Sequence, residues 1–125
     1  MLSLLVSPIN DRTSESLIKK ISRVLPQEQF AVFHTLDDLQ HFLTNRPGDT
    51  EIVVLRAHSR EDLVGFQAIK DFMHDIKILL IVPDRKKRTL DLAHQLHPRY
   101  VVESEGNFDN LILVVKKILQ RKMFH

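Results

Sequence analysis

The sequence predicts an α/β fold, a three-layer α/β/α domain built on a five-stranded parallel sheet. Three observations predict it. Short apolar runs bounded by turn residues alternate with amphipathic stretches of helical spacing, five times in 125 residues. Such alternation argues for parallel strands with helices on both faces. The runs at 52–55 and 78–82 are apolar without interruption, as strands buried on both sides require.

Each element has its own signal. The first strand, Leu2 to Val6, is apolar except for Ser3 and is bounded by Pro8 and Asn10. Asn10 or Asp11 is positioned to cap the first helix, in which Leu17, Ile18, Ile21, Val24 and Leu25 recur on one face and Lys19, Lys20 and Arg23 on the other. Pro26 stops it. Phe30 to His34 reads as the second strand, and Thr35 with Asp38 as a capping box for a helix bearing Leu36, Leu39, Phe42 and Leu43. The turn Asn45 to Asp49 leads into a third strand, Glu51 to Arg56. Ser59 to Asp62 opens a helix whose stripe is Leu63, Phe66, Ile69, Phe72 and Met73. Ile76 to Val82 is the fourth and most hydrophobic strand, and Asp84 caps a helix running through Leu96. Tyr100 to Glu103 is the fifth strand. The turn Glu105 to Asn107 precedes a last helix lined by Phe108, Leu111, Ile112, Val115, Ile118 and Leu119.

Composition narrows the function. The absence of cysteine excludes disulfides, thiolate metal sites and cysteine nucleophiles. Eighteen basic and sixteen acidic side chains leave a net charge of +2, too small an excess to mark a nucleic-acid protein by itself. No apolar run approaches the ~20 residues of a membrane span. The start lacks a basic segment and reads as a strand rather than a signal peptide. The expectation is one cytoplasmic domain, residues 1–125, without a membrane segment.

Ligand clefts in wound parallel sheets lie at the carboxyl ends of the strands. Here those ends carry Ser7 and Pro8 after the first strand, Arg56 on the third, Val82 on the fourth and Glu103 on the fifth. The length, order and spacing of elements resemble the receiver domain of bacterial response regulators over nearly the whole chain. The resemblance implies a flavodoxin-like sheet of order 2-1-3-4-5. It also implies an acidic pair for Mg²⁺ after the first strand, an acceptor aspartate ending the third, a hydroxyl ending the fourth and a lysine ending the fifth. Each of those positions is chemically altered. Ser7 and Pro8 supply no carboxylate to a hard cation. Arg56 is a permanent cation with no nucleophilic oxygen. Val82 and Glu103 replace the hydroxyl and the lysine. Arg56 and Glu103 exchange the signs of the family's pair, which suggests an ion pair across the old site.

Other chemistry lacks a complete set of residues. His94 and His97 stand at i, i+3 and His34 and His58 follow strands, but no third ligand is evident and no metal is expected. The three glycines, Gly48, Gly65 and Gly106, form no phosphate loop, and no cofactor is expected. Ser7, Ser59 and Ser104 lie in no nucleophile elbow, so no reaction is assigned.

The expected function is therefore that of a non-phosphorylatable receiver-like domain, a protein-interaction or regulatory module in two-component signal transduction, with a homodimer as one form. The resemblance points to a partner surface containing Leu96, Tyr100, Leu113 and Lys117. The run Arg85, Lys86, Lys87 and Arg88 adds a basic patch at the start of the fourth helix, where the macrodipole favours anions instead. Leu113, Val114, Met123 and Phe124 fall outside the inner stripe of the last helix and are candidates for an apolar interface. Two other readings rank lower. One is nucleic-acid contact through Arg85 to Arg88, or through Lys19, Lys20, Lys116 and Lys117 merged into one patch. The other is a small anion held by Arg56 beside Ser7, His58 and Glu103.

Overall fold

The computed structural model describes residues 3–6, 12–25, 30–45, 50–103 and 108–123. Ser7, Pro8, Asn10, Asp11, Pro26, Ser104, Phe124 and the turns at 46–49 and 104–107 lie outside the described residues.

The elements run β1 (Ser3–Val6), α1 (Arg12–Ser22), β2 (Phe30–Phe33), α2 (Leu36–Asn45), β3 (Ile52–Arg56), α3 (Arg60–Ala68), β4 (Lys77–Val82), α4 (Lys87–His94), β5 (Tyr100–Glu103) and α5 (Asp109–Met123). The strands pair in parallel in the order β2-β1-β3-β4-β5. In register, Arg56 lies opposite Ile81, Ile81 opposite Val102, and Val82 opposite Glu103.

The five strands differ in burial. Burial is concentrated at the centre, where all of β3 and all of β4 except Lys77 are buried. The outer strands β2 and β5 are four residues each and mostly half-buried. They lack the long apolar runs that make β3 and β4 suitable for burial on both faces. The third helical segment is also interrupted. α3 ends at Ala68, Ile69 leaves helical geometry at φ −109° and ψ 12°, and a short 3₁₀ turn follows at Lys70–Met73. Ile69 and Met73 remain buried, while Phe72, expected on the inner stripe, is 42% exposed.

Alternation along the strands divides the core into two layers. Ile52 and Val54 of β3 and Leu79 and Ile81 of β4 pack with Leu17 and Ile21 of α1 and with Leu111, Ile112 and Val115 of α5. Val53 and Leu55, with Ile78, Leu80 and Val82, pack with Leu39 and Leu43 of α2, Leu63 and Phe66 of α3, and Ala93 of α4. Two helices therefore cover one face and three the other. Gly65 sits where α3 crosses the start of α2, and a Cβ there would come within 2.7 Å of Leu36 Cδ1.

Local signals explain the helix ends. The Thr35 hydroxyl accepts the Asp38 N–H at 3.1 Å and caps α2. The Ser59 side chain makes no cap hydrogen bond; the Asp62 carboxylate instead accepts the His58 N–H at 2.8 Å. Asp84 is not the cap of α4 either. Its carboxylate accepts the Lys86 N–H at 3.0 Å, and the helix begins at Lys87. The helix ends at His94, and His97 adopts φ 52°, in the left-handed region that closes many helices. Among the described residues, no helix is long and apolar enough to cross a membrane.

The central strands should dominate stability. Leu80→Ala, at a fully buried site, is expected to cost about 2–5 kcal/mol in urea unfolding. Leu113→Ala, half-exposed on α5, is expected to fall within about 0.5 kcal/mol of wild type.

Candidate functional site at the strand ends

Arg56 ends β3 and is 4% exposed. It shares the parity of Ile52 and Val54, so its side chain leaves the sheet on the α1/α5 face. There its Nη1 donates to the Ser14 Oγ at 2.8 Å, and Ser14 is itself fully buried in the first turns of α1. Arg56 is thus a built-in core cation tied to a helix.

Glu103 goes the other way. It has the parity of Val101, which packs against the α2–α4 layer, whereas Val102 belongs to the α1/α5 layer. Its carboxylate lies 3.8 Å from Arg85 Nε. The expected Arg56–Glu103 ion pair is therefore corrected: the pleat places the two side chains on opposite faces of the sheet. Val82, between them, is fully buried among α2–α4 layer residues. With Arg56 almost wholly enclosed, the small-anion reading has no exposed guanidinium to rest on.

A second arrangement at the same edge was not anticipated. Thr89, fully buried on α4, accepts from Arg60 Nε at 3.1 Å, and its hydroxyl bonds the Asp84 carboxylate. One hydroxyl so links the start of α3, the loop after β4, and α4. Farther along the same pair of helices, Gln67 Nε2 donates to the Leu92 carbonyl at 2.9 Å. The Thr89 hydroxyl, then the Lys86 N–H, with the Arg60 and Lys86 charges adding to them, hold the Asp84 carboxyl below its ordinary range. Its contribution to stability is present above the ordinary carboxylate range and is lost as pH falls through the lowered value. The five-residue spacing of Asp84 and Thr89 is the available sequence signal, but Arg60 comes from the start of a separate helix, α3.

The sequence-derived interaction residues separate. Arg85, Lys86, Lys87 and Arg88 are all exposed, with Lys87 and Arg88 in a first helical turn that holds no acid. Leu113 is 50% exposed and Lys117 is exposed. Leu96 must be removed from the surface, because it is 2% exposed in the α2–α4 core. Tyr100 is half-buried against the α1/α5 layer. α4 and α5 thus flank the edge strand β5 from opposite layers. The histidine pair is also corrected, since His97 lies beyond the end of α4 in a left-handed conformation and shares no helix face with His94. It lines a cavity of about 440 Å³ with His74, Lys70 and Asp71 over an apolar floor of Met73, Ile76, Ile78 and Leu96. Among the described residues, no three His, Asp or Glu side chains are grouped as metal ligands.

Comparison with known proteins supports the architecture. A crystal structure from Burkholderia pseudomallei, described as a "Putative pilus assembly-related protein", matches with a TM-score of 0.65 at 17% identity, over 94% of this chain and 89% of that one. At that identity the likeness is one of fold. No protein-family model matches the chain, and no curated protein matches it.

Two measurements check this geometry. Ser14→Ala removes one acceptor of a buried guanidinium and is expected to lower stability by about 1–3 kcal/mol in urea unfolding. Thr89→Val is expected to raise the Asp84 carboxyl titration toward the ordinary range, followed by carboxyl NMR from acid to neutral pH.

Proposed function

We propose that this chain is a receiver-like domain that cannot be phosphorylated and acts as a protein-interaction or regulatory module in signal transduction. The observation that carries the reading is Arg56, buried at the end of β3 and bonded to Ser14. A phosphoryl acceptor needs an exposed carboxylate at that point, and this position holds an enclosed cation. The link from Arg60 through Thr89 to Asp84 supports the same reading by tying α3 to α4. Such a module works by presenting a surface, and a ligand moves it only through unequal affinity for two of its states. A description as pilus assembly-related, attached to a protein of this fold, fits a module that acts by contact.

The test is direct. The full chain is incubated with acetyl phosphate and Mg²⁺, and separately with beryllofluoride and Mg²⁺. No phosphoryl adduct by intact mass and no change in amide NMR positions are expected. A stable adduct on any carboxylate at the strand ends would overturn the reading.

A further inference from the structure

α1 and α5 lie over the same face of the sheet, and an open cleft of about 340 Å³ runs between them. Among the described residues its rim carries Lys20, Arg23 and Lys116, with Asp109 as the one carboxylate. Lys20 Nζ donates to Asp109 Oδ1 at 2.7 Å, so the acid is already engaged and the rim stays positive. The floor is Val24, Ile112 and Leu113, with Leu113 half-exposed to solvent. Two of the basic clusters noted in the sequence converge here, through Lys20 and Lys116. Lys19 and Lys117 are exposed but do not line the cleft.

We infer that this cleft docks an acidic segment of a partner protein, one that inserts an apolar side chain between flanking carboxylates. The inference rests on the interaction-module reading and names the chemistry of the partner. Charge complementarity selects the acidic flanks, because among the described lining residues three cations face one carboxylate. The half-exposed leucine over an apolar floor selects the anchor, since desolvated apolar contacts at the centre of a patch carry most binding energy. The volume, near the low end of the ~300–1,000 Å³ typical of ligand pockets, suits one or two side chains rather than a whole element. A nucleic acid fits less well. Among its described residues the cleft holds no aromatic platform for bases, and its floor of Val24, Ile112 and Leu113 offers phosphates nothing. A second copy of this chain fits less well too, because a two-fold contact through the cleft would set cations against cations.

A random twelve-residue peptide library panned against the full chain tests this. Expected winners place two or more Asp or Glu around a Leu or Phe. The best of them, made synthetically, should shift amide resonances of α1 and α5. The Arg23→Glu/Lys116→Glu double variant and the Leu113→Asp variant should each weaken that peptide by about tenfold or more. Asp109→Asn should strengthen it several-fold, by removing the carboxylate that competes for Lys20. All four positions are on exposed or rim sites, and thermal unfolding of each variant shows that the fold is kept. No enrichment, enrichment of basic or uncharged peptides, shifts confined to other elements, or undiminished binding by the double variant would each overturn the inference. Displacement of the peptide by random-sequence duplex DNA with a steep salt dependence would assign the cleft to nucleic acid and overturn it as well. Phosphoryl uptake in the earlier experiment would sink the parent reading while leaving a mapped peptide site standing, so the two failures are distinguishable.

Discussion

The two-residue alternation of β3 and β4, enforced by burial on both faces, governs where every other feature lies. A strand with one wet face tolerates a polar side chain on it; these strands have none to spare. Each residue is committed to the α1/α5 layer or the α2–α4 layer, and a slip of one position would exchange the two sets. Helix packing then follows, because each layer presents a continuous apolar surface that only an amphipathic stripe can cover.

The same constraint separates charges at the strand ends. Arg56 and Glu103 end neighbouring regions of the sheet but leave it in opposite directions, each toward a different tether. Arg56 is drawn into α1 by Ser14, while Glu103 meets Arg85 in the loop before α4. The loop ends of α3 and α4 are joined by a single hydroxyl, that of Thr89. Among the described residues, polar contacts at this rim bind elements to one another.

Much of the architecture could be read before any coordinates. The apolar runs at 52–55 and 78–82 announce doubly buried strands, and Thr35 with Asp38 announces a helix start. What escaped depends on register. The parity of Arg56 within its own strand is plain, but its relation to Glu103 needs the pairings of β3 with β4 and of β4 with β5, which no single run of residues contains. Leu96 was misplaced because an apolar residue at a helix end looks the same whether it closes the core or faces out. His97 was paired with His94 on spacing alone, and its left-handed backbone breaks the helical geometry that the spacing assumes. Arg60, Thr89 and Asp84 come from separate segments and carry no periodic signal. The meeting of Lys20 with Lys116 needed the assignment of α1 and α5 to one layer before the two clusters became a single surface.

The shortness of the outer strands has an architectural effect of its own. β2 and β5 bound the sheet with four residues each. A visiting strand that tried to extend the sheet would find few main-chain rungs along either margin, and strand addition draws its affinity from those rungs. Brevity at a margin is also one of the ways proteins discourage unwanted lateral stacking. Short margins of this kind disfavour backbone templating and leave any contact to side-chain chemistry, where selectivity is set by shape and charge.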